Sequence, residues 1–447
     1  MEQDLTTGSV FKRIVYFSLP YLLSYFLQTL YGMADLFITG QFYGVDTITA
    51  VSNGSQIMHM MTVIIVGLAM GTTVTIGHSV GAKCMEQAEK IIGNTITLFM
   101  GIAVAFTVIL VVLVKPIVVL IAAPQEAVAG TSIYLLICFI GIPFITAYNI
   151  ISSIFRGLGD SKSPMYFIGI ACVMNIALDY LFMGAFHMGA AGAALGTVCA
   201  QTFSVLVALW VIRRRKTGIS LKKSDFKIER AVIGQVLKIG IPVALQDGFI
   251  QVAFMIITVI ANSRGVSDAA AVGVVEKVIS ALFIVPSSML ATVSALSAQN
   301  LGAGKEKRAT DTLHYATVIT TIYGMIVAVL IQFIAENVVG IFTSDTTVVT
   351  MGSAYIRSYI WDCIFAGIHF SFSGYFAACG KSYIGFLHNI ISITFVRVPG
   401  SYLASKYFTD TLYPMGLAAP AGSLVSVAIC VTAFILLKRK SRVAQTA

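Results

Sequence analysis

RRRKTGISLKKSDFKIER, running from Arg213 to Arg230, is the stretch on which the reading of this chain turns. It is the only long polar segment in 447 residues, of which 57% are hydrophobic and 11% charged. Soluble domains carry roughly 25% charged residues. A chain with mean hydropathy +0.88 cannot cover a water-facing surface of this size. Soluble enzymes, nucleic-acid binders and disordered chains are excluded at that step. On either side of the segment the apolar stretches run about 20 residues or more without the alternation that barrel strands require, so the expected fold is an all-α, polytopic membrane protein.

Working outward from the linker, six spans precede it and six follow. They are predicted at 14–38, 53–77, 91–113, 129–155, 164–184, 190–212, 233–260, 270–297, 312–335, 351–377, 383–405 and 415–437. The chain thus divides into an N-lobe (1–212), a linker (213–232) and a C-lobe (233–447). Of the 29 Lys and Arg, 23 fall on one side of the membrane: Lys12 and Arg13, Lys83 and Lys90, Arg156 and Lys162, the linker and the basic residues around it, Lys305 to Arg308, Lys381 and the KRKSR tail. The opposite loops hold Lys115, Arg264 and Lys406. The positive-inside rule then places both termini in the cytoplasm of a cell (inner) membrane protein. The apolar stretch from Ile14 is too long for a signal-peptide core and reads as the first span. The seven cysteines are scattered without a CxxC pair and read as small core residues.

The two halves repeat. GVDTITAV (Gly44–Val51) returns 221 residues later as GVSDAAAV (Gly265–Val272). At the same offset VGAKCMEQAEK from Val80 faces LGAGKEKRATD from Leu301, and GDSKS from Gly159 faces GKSYI from Gly380. The prolines of SLP and GIP, Pro20 and Pro242, differ by 222. Each repeat holds six spans, so both start on the same face. Two parallel six-helix lobes around a central cavity follow, a plan common among secondary transporters.

A charge inside a span costs about +2.5–3.5 kcal/mol on insertion scales, which makes each one a functional candidate. Asp35 lies in LYGMADLFITG of the first span, and Asp179 in MNIALDYLF of the fifth. Asn175, four residues before Asp179, shares its helical face. Thr197, in GAALGTV of the sixth span, falls at similar depth. Two carboxylates, an amide and a hydroxyl suit a hard cation such as Na+. They suit H+ equally, since paired buried carboxylates are costly in their charged form. The small residues Gly189–Gly196 let the helices approach. By the offset, Asn175 and Asp179 map to Val396 and Gly400, and Asp35 to Ile256 or Ile257. A scaffold requirement would appear in both lobes; this constellation appears in one, which argues for function.

The chain resembles the multidrug and toxic compound extrusion (MATE) transporters of bacteria. The resemblance rests on twelve spans in two bundles, Pro20 with Asp35 fifteen residues on, RGLGDSKSP after the fourth span, Asn175-x-x-x-Asp179, the small-residue run before Thr197, and the VGA and LGA loops. It implies an antiporter, not an enzyme, that exports small organic cations or amphipathic drugs in exchange for H+ or Na+ by alternating access. It implies coupling at Asp35, Asn175, Asp179 and Thr197, and bending of the first helix at Pro20. It implies no cofactor and no metal beyond Na+ at that site, membrane lipids as surroundings, no nucleic-acid partner, and a monomer. NorM-like members also use acids in the seventh and tenth spans, where this chain has Asp247, Gln251 and Asp362. The set stands closer to DinF-like members, with Asp247, Gln251 and Asp362 as candidates for a substrate cavity. His59, His369 and His388 show no metal-ligand spacing and read as core or pore-lining, and Arg357 and Arg397 as snorkelling or paired with an acid. A lipid-linked flippase of the same superfamily, or an exporter of one metabolite, is the alternative. No HExxH or GxSxG motif supports a membrane enzyme.

Overall fold

The computed structural model describes residues 4–121, 123–214 and 220–446, with side chains as far as residue 439. Residues 215–219 of the linker, and the side chains of Lys440 and Arg442 in the tail, lie outside the described residues. Among the described residues there is no strand. The helices are α1 (Val10–Phe42), α2 (Val45–Gly81), α3 (Met85–Val112), α4 (Val114–Leu120), α5 (Val128–Ile140), α6 (Ile142–Gly157), α7 (Lys162–Asp179) and α8 (Gly189–Arg214). After the linker come α9 (Arg230–Asn262), α10 (Val266–Leu282), α11 (Ile284–Gly302), α12 (Glu306–Gly340), α13 (Thr346–Tyr359), α14 (Asp362–Ala378), α15 (Ser382–Ser392), α16 (Val398–Tyr407), α17 (Tyr413–Gly416) and α18 (Ala418–Thr446). Each predicted span is covered by one helix or by a broken pair, with ends that run several residues beyond the apolar core. Eight segments are long and apolar enough to cross a membrane, and α5 with α6, bent by 52°, makes a ninth. The other spans are α1, diluted by Ser18, Ser24, Gln28 and Asp35, and two that are split.

The breaks have local causes and repeat. Gly141 followed by Pro143 ends α5, because proline has no N–H to continue the ladder but suits the first turn of the next helix. In the second half α13 and α14 part at residues 360–361, the matching place. The fifth segment of each half widens into a π-turn, Tyr180–Ala185 and Ile393–Arg397. Pro20 and Pro242 lie inside α1 and α9, which run through them.

Two compact units form. The first is built on Val15–Ala244, with Ala298–Gly304; the second on Leu245–Ser297 and the chain from Lys305, with Gly8–Ile14. In the first, α2 lies against α5 and α6, and α7 against α8. Its core, including Ile38, Val51, Met58, Tyr134, Leu135, Phe139 and Met183, surrounds the inner faces of α1, α7 and α8. In the second, α10 lies on α13, α12 on α14, and α14 and α15 on α18, around Val272, Val275, Ile331, Tyr355 and Tyr359. Large apolar side chains such as Phe37, Val108, Phe333 and Phe395 are exposed, as a surface meeting lipid requires.

The linker is anchored to its own half. Asn94 of α3 donates Nδ2–H to the Asp225 carbonyl (3.0 Å) and accepts from the Glu229 N–H (2.7 Å). Thr97 donates to the Phe226 carbonyl at 3.0 Å, and the Ser220 N–H donates to Glu89 at 2.7 Å. A Cβ at Gly93 would lie 2.4 Å from the Asp225 carbonyl oxygen, so only glycine lets the segment down.

Candidate cation site

Asp35 stands on α1 and is 2% exposed. Its backbone carbonyl accepts from Thr39 Oγ1 at 2.6 Å, the i+4 back-bond that threonine makes in a helix. Its carboxylate faces α7 and α8, where it interacts with Asp179, Asn175 and Thr197. Thr197 Oγ1 donates to Asp35 Oδ2 at 3.3 Å. Asn175 and Asp179 project from the last turn of α7, 2% and 0% exposed. The four residues named from the sequence are therefore brought together by three helices of one unit.

Glycine makes the approach possible. A Cβ at Gly196 would fall 2.1 Å from Asp179 Oδ1, so any side chain there would occupy the place of the carboxylate. One turn earlier, a Cβ at Gly192 would lie 3.0 Å from Met183 Cγ of the π-turn. That π-turn begins directly after Asp179, a placement common at functional sites. Tyr43, at the end of α1, ties the loop down: its hydroxyl donates to the Met183 carbonyl (3.0 Å) and accepts from the Gly189 N–H (2.9 Å).

The chemistry of the site lies in what is unsatisfied. Asp35 Oδ1, both carboxylate oxygens of Asp179 and both polar atoms of the Asn175 amide are buried with no hydrogen-bond partner among the described residues. Each such group costs about 1–3 kcal/mol if nothing fills it. Among the described residues, no basic side chain acts on either acid. Two neighbouring like charges repel by several kcal/mol at an effective dielectric of ~20. One positive charge removes both penalties. The donor set, carboxylate, amide and hydroxyl oxygens converging from α1, α7 and α8, fits a small hard cation or a proton.

Several neighbours escaped the sequence reading. Tyr31, one turn before Asp35, lies beside Gln201, one turn after Thr197. Tyr134 of α5 reaches the same group and packs over Gly54, where a Cβ would meet its ring at 2.2 Å. Helical spacing flags Tyr31 and Gln201 as sharing the faces of Asp35 and Thr197, whereas only the packing of α5 brings in Tyr134.

In the second unit Asp362 opens α14 and is 1% exposed, with both oxygens lacking a hydrogen bond among the described residues. Arg397, from the π-turn, acts on Asp362 and on Glu276 of α10. The guanidinium hydrogen-bonds the Tyr359 hydroxyl and lies 5.0 Å from the Phe254 ring centroid. Glu276 Oε2 accepts from Thr258 at 3.3 Å. Asp247 and Gln251, half-buried on α9, share no hydrogen bond or ion pair with Asp362 among the described residues, so these three do not form one constellation as the first four do.

The sequence and the fold both match known proteins. The family model MatE matches twice, at residues 20–181 and 242–403, once in each half. The chain is 29% identical over 415 residues to a probable multidrug resistance protein, YpnP, of Bacillus subtilis, covering 93% of each. It is 24% identical over 374 residues to the multidrug export protein MepA of Staphylococcus aureus, covering 83% of this chain and 82% of MepA. Its fold is similar, with TM-score 0.90 over 99% of both chains, to a multidrug resistance MATE family transporter of the MOP superfamily in an outward-facing conformation, at 21% identity. A crystal structure of MATE in complex with MaL6 matches as well, with TM-score 0.90 at 20% identity.

Proposed function

The chain belongs to the multidrug and toxic compound extrusion (MATE) family of transporters, and on that premise we propose that it exports cationic or amphipathic organic compounds in exchange for H+ or Na+, coupled through Asp35, Asn175, Asp179 and Thr197. It is a multi-pass membrane protein and a transporter, not an enzyme. The observation that carries the coupling assignment is the set of five unpartnered buried polar atoms on Asp35, Asn175 and Asp179. They face one another, beside Thr197, in the core of the first unit.

The proposed cycle follows from neutralisation. With both acids charged, α1 and α7 are pushed apart at the level of Asp35 and Asp179. Entry of one H+ or Na+ removes the repulsion and draws α1 onto α7 and α8, with Thr197 and Asn175 completing the ligand set. Pro20 gives α1 a point where one backbone hydrogen bond is missing and bending is cheap. The small movement is passed on through Tyr43, which links the end of α1 to the π-turn and to the start of α8. A membrane potential contributes about 2.3 kcal/mol per charge per 100 mV, enough to sustain a ~50-fold gradient of a neutral substrate exchanged for one ion. Both termini are assigned to the cytoplasmic face of the cell membrane on the positive-inside count.

Coupling through the first unit alone, the DinF-like arrangement, is favoured because Gln251 takes the place of the seventh-span acid and the Arg397 guanidinium already acts on Asp362. Asp247 and Asp362 are then assigned to the substrate. The test is efflux from proteoliposomes under separately imposed proton and sodium gradients, with a panel of dyes and drugs. Driven export under one gradient that is lost in Asp35→Asn and in Asp179→Asn supports the proposal. Export that either variant retains in full overturns it.

A further inference from the structure

The polar linker reaches deeper along α3 than a tether requires. Gly93, against which the Asp225 carbonyl rests, and Thr97, which donates to the Phe226 carbonyl at 3.0 Å, both lie inside the apolar helix Met85–Val112 and inside the span predicted at 91–113. At ~1.5 Å per residue they stand about 3 and 9 Å past the start of that span. The segment reverses at this depth through one 3-10 turn, Lys223–Phe226, with the Lys222 N–H donating to Asp225 Oδ2 at 2.7 Å. On the way back the Glu229 N–H meets Asn94, and Val232 of α9 is buried with Ile91, Ile92 and Phe99.

The side chains of this segment are of two kinds. Leu221, Phe226 and Ile228 are exposed, Phe226 by 39% and Ile228 by 60%. A loop surrounded by water gains nothing by exposing three large apolar side chains so close together. Interleaved with them, Lys222, Lys223 and Lys227 are exposed and make no ion pair among the described residues. The acids of the segment are Asp225, buried in its own turn, and Glu229, beside Arg230. At the other end of the linker, in the last turns of α8, Trp210 is exposed with the Arg214 guanidinium 5.3 Å from its ring centroid, and tryptophan in such a place marks the level of the headgroups.

We infer that residues 220–230 bind anionic phospholipid as an interfacial segment, with Leu221, Phe226 and Ile228 entering the acyl boundary and Lys222, Lys223 and Lys227 meeting headgroup phosphates. Amphipathic segments settle about 5–10 Å into that boundary, and Thr97 holds the backbone of Phe226 within that range. Lysine stems lie along apolar surface while their ammonium groups reach back to the headgroups. A backbone can sit at this depth only where its polar groups are paired. Here the Asp225 carbonyl is paired with Asn94, the Phe226 carbonyl with Thr97 and the Glu229 N–H with Asn94. Each lysine held near an anionic surface strengthens binding roughly fivefold. The inference rests on the membrane placement proposed above and not on the driving ion.

The experiment reads depth and lipid selectivity in the full-length protein. Phe226→Trp is combined with Trp210→Phe and Trp361→Phe, so that residue 226 carries the one tryptophan of the chain. The protein is placed in bilayers of phosphatidylcholine and phosphatidylglycerol in which one lipid is brominated, near the headgroup end of its chain or near its methyl end. Bromine near the headgroup end should quench strongly, while bromine near the methyl end and aqueous iodide quench weakly. Phosphatidylglycerol should be preferred over phosphatidylcholine about fivefold or more. Lys222→Gln/Lys223→Gln/Lys227→Gln should bring that preference close to parity, and raised salt should weaken it. If the tryptophan variant does not fold, a photoactivatable phosphatidylglycerol is cross-linked to the native chain and mapped by mass spectrometry, with the phosphatidylcholine analogue as control; cross-links at 220–230 specific to phosphatidylglycerol are expected. Quenching by iodide and not by brominated lipid places the segment in water and overturns the inference. Equal quenching or cross-linking by the two lipids overturns it as well, because insertion then occurs without recognition of the anionic headgroup. No substrate or ion gradient enters the measurement, so its failure leaves the transport proposal standing.

Discussion

Gly196→Ala should weaken binding of the driving ion while leaving the fold intact. The new Cβ would sit 2.1 Å from Asp179 Oδ1, whereas ordinary contact begins at 3.4 Å, so the carboxylate must retreat by about 1.3 Å. An oxygen that ligated a cation at ~2.4 Å would then stand at ~3.7 Å. At an effective dielectric of ~20 the lost attraction is about 2.4 kcal/mol, or about fiftyfold in affinity. Helix propensity acts the other way, since alanine in a helix interior is favoured over glycine by roughly 0.5–1 kcal/mol. Thermal stability should therefore change little while the ion concentration for half-maximal efflux rises steeply. Gly101, on α3, has nothing within 4 Å of where its Cβ would be, so Gly101→Ala is the matched control and should leave efflux unchanged. The assay is substrate efflux from proteoliposomes across a series of proton and sodium gradients, with a melting curve for each variant. If Gly196→Ala folds and keeps its half-maximal ion concentration within twofold, the position of Asp179 against α8 does not matter to ion binding and the site assignment fails.

Other outcomes follow from the same geometry. Asp35→Asn and Asp179→Asn should each abolish driven efflux at near-normal expression, while conservative changes at Val396 or Gly400, the repeat counterparts of Asn175 and Asp179, do much less; equal losses at all four would indicate a structural role. Neutralising Asp247 or Asp362 should change which cations are exported without removing dependence on the ion gradient, measured with a substrate panel at two sodium concentrations and two pH values. A uniform loss rescued by raising pH or sodium would place them in the coupling machinery instead. Tyr43→Phe removes the acceptor of the Gly189 N–H and the donor to the Met183 carbonyl, and should cost about 1–3 kcal/mol, read as a lowered melting temperature. Asn94→Ala should free the segment around Asp225–Glu229 from α3 and speed its cleavage in limited proteolysis, and an unchanged rate would show that the two hydrogen bonds contribute nothing.

How much of this was legible before the structure depends on distance along the chain. Helix positions followed from apolar run lengths, and the two halves from one offset held across three segments and within one residue at the prolines, because both signals are local or periodic. Asp35, Asn175, Asp179 and Thr197 stood out because charge in an apolar span is rare and because the second half lacks them. Gly196 was visible only as one small residue among many; its role appears when α7 places Asp179 Oδ1 over it. The histidines at 369 and 388 show no ligand spacing along the chain, and it takes the pairing of α14 with α15 to bring the rings to 5.3 Å. The polar linker read as a tether, yet its second part is hydrogen-bonded to α3 through Asn94 and Thr97, a relation between residues more than a hundred positions apart.

The π-turn after Asp179 holds one residue more than an α-turn would, and that residue is a fixed length of slack. If Tyr180–Ala185 tightened to α-geometry, everything beyond it would rotate by about 100° and advance by about 1.5 Å. Met183 would leave Gly192, and its carbonyl would swing away from the Tyr43 hydroxyl. Asp179, the last residue before the joint between α7 and α8, thus sits where that slack begins.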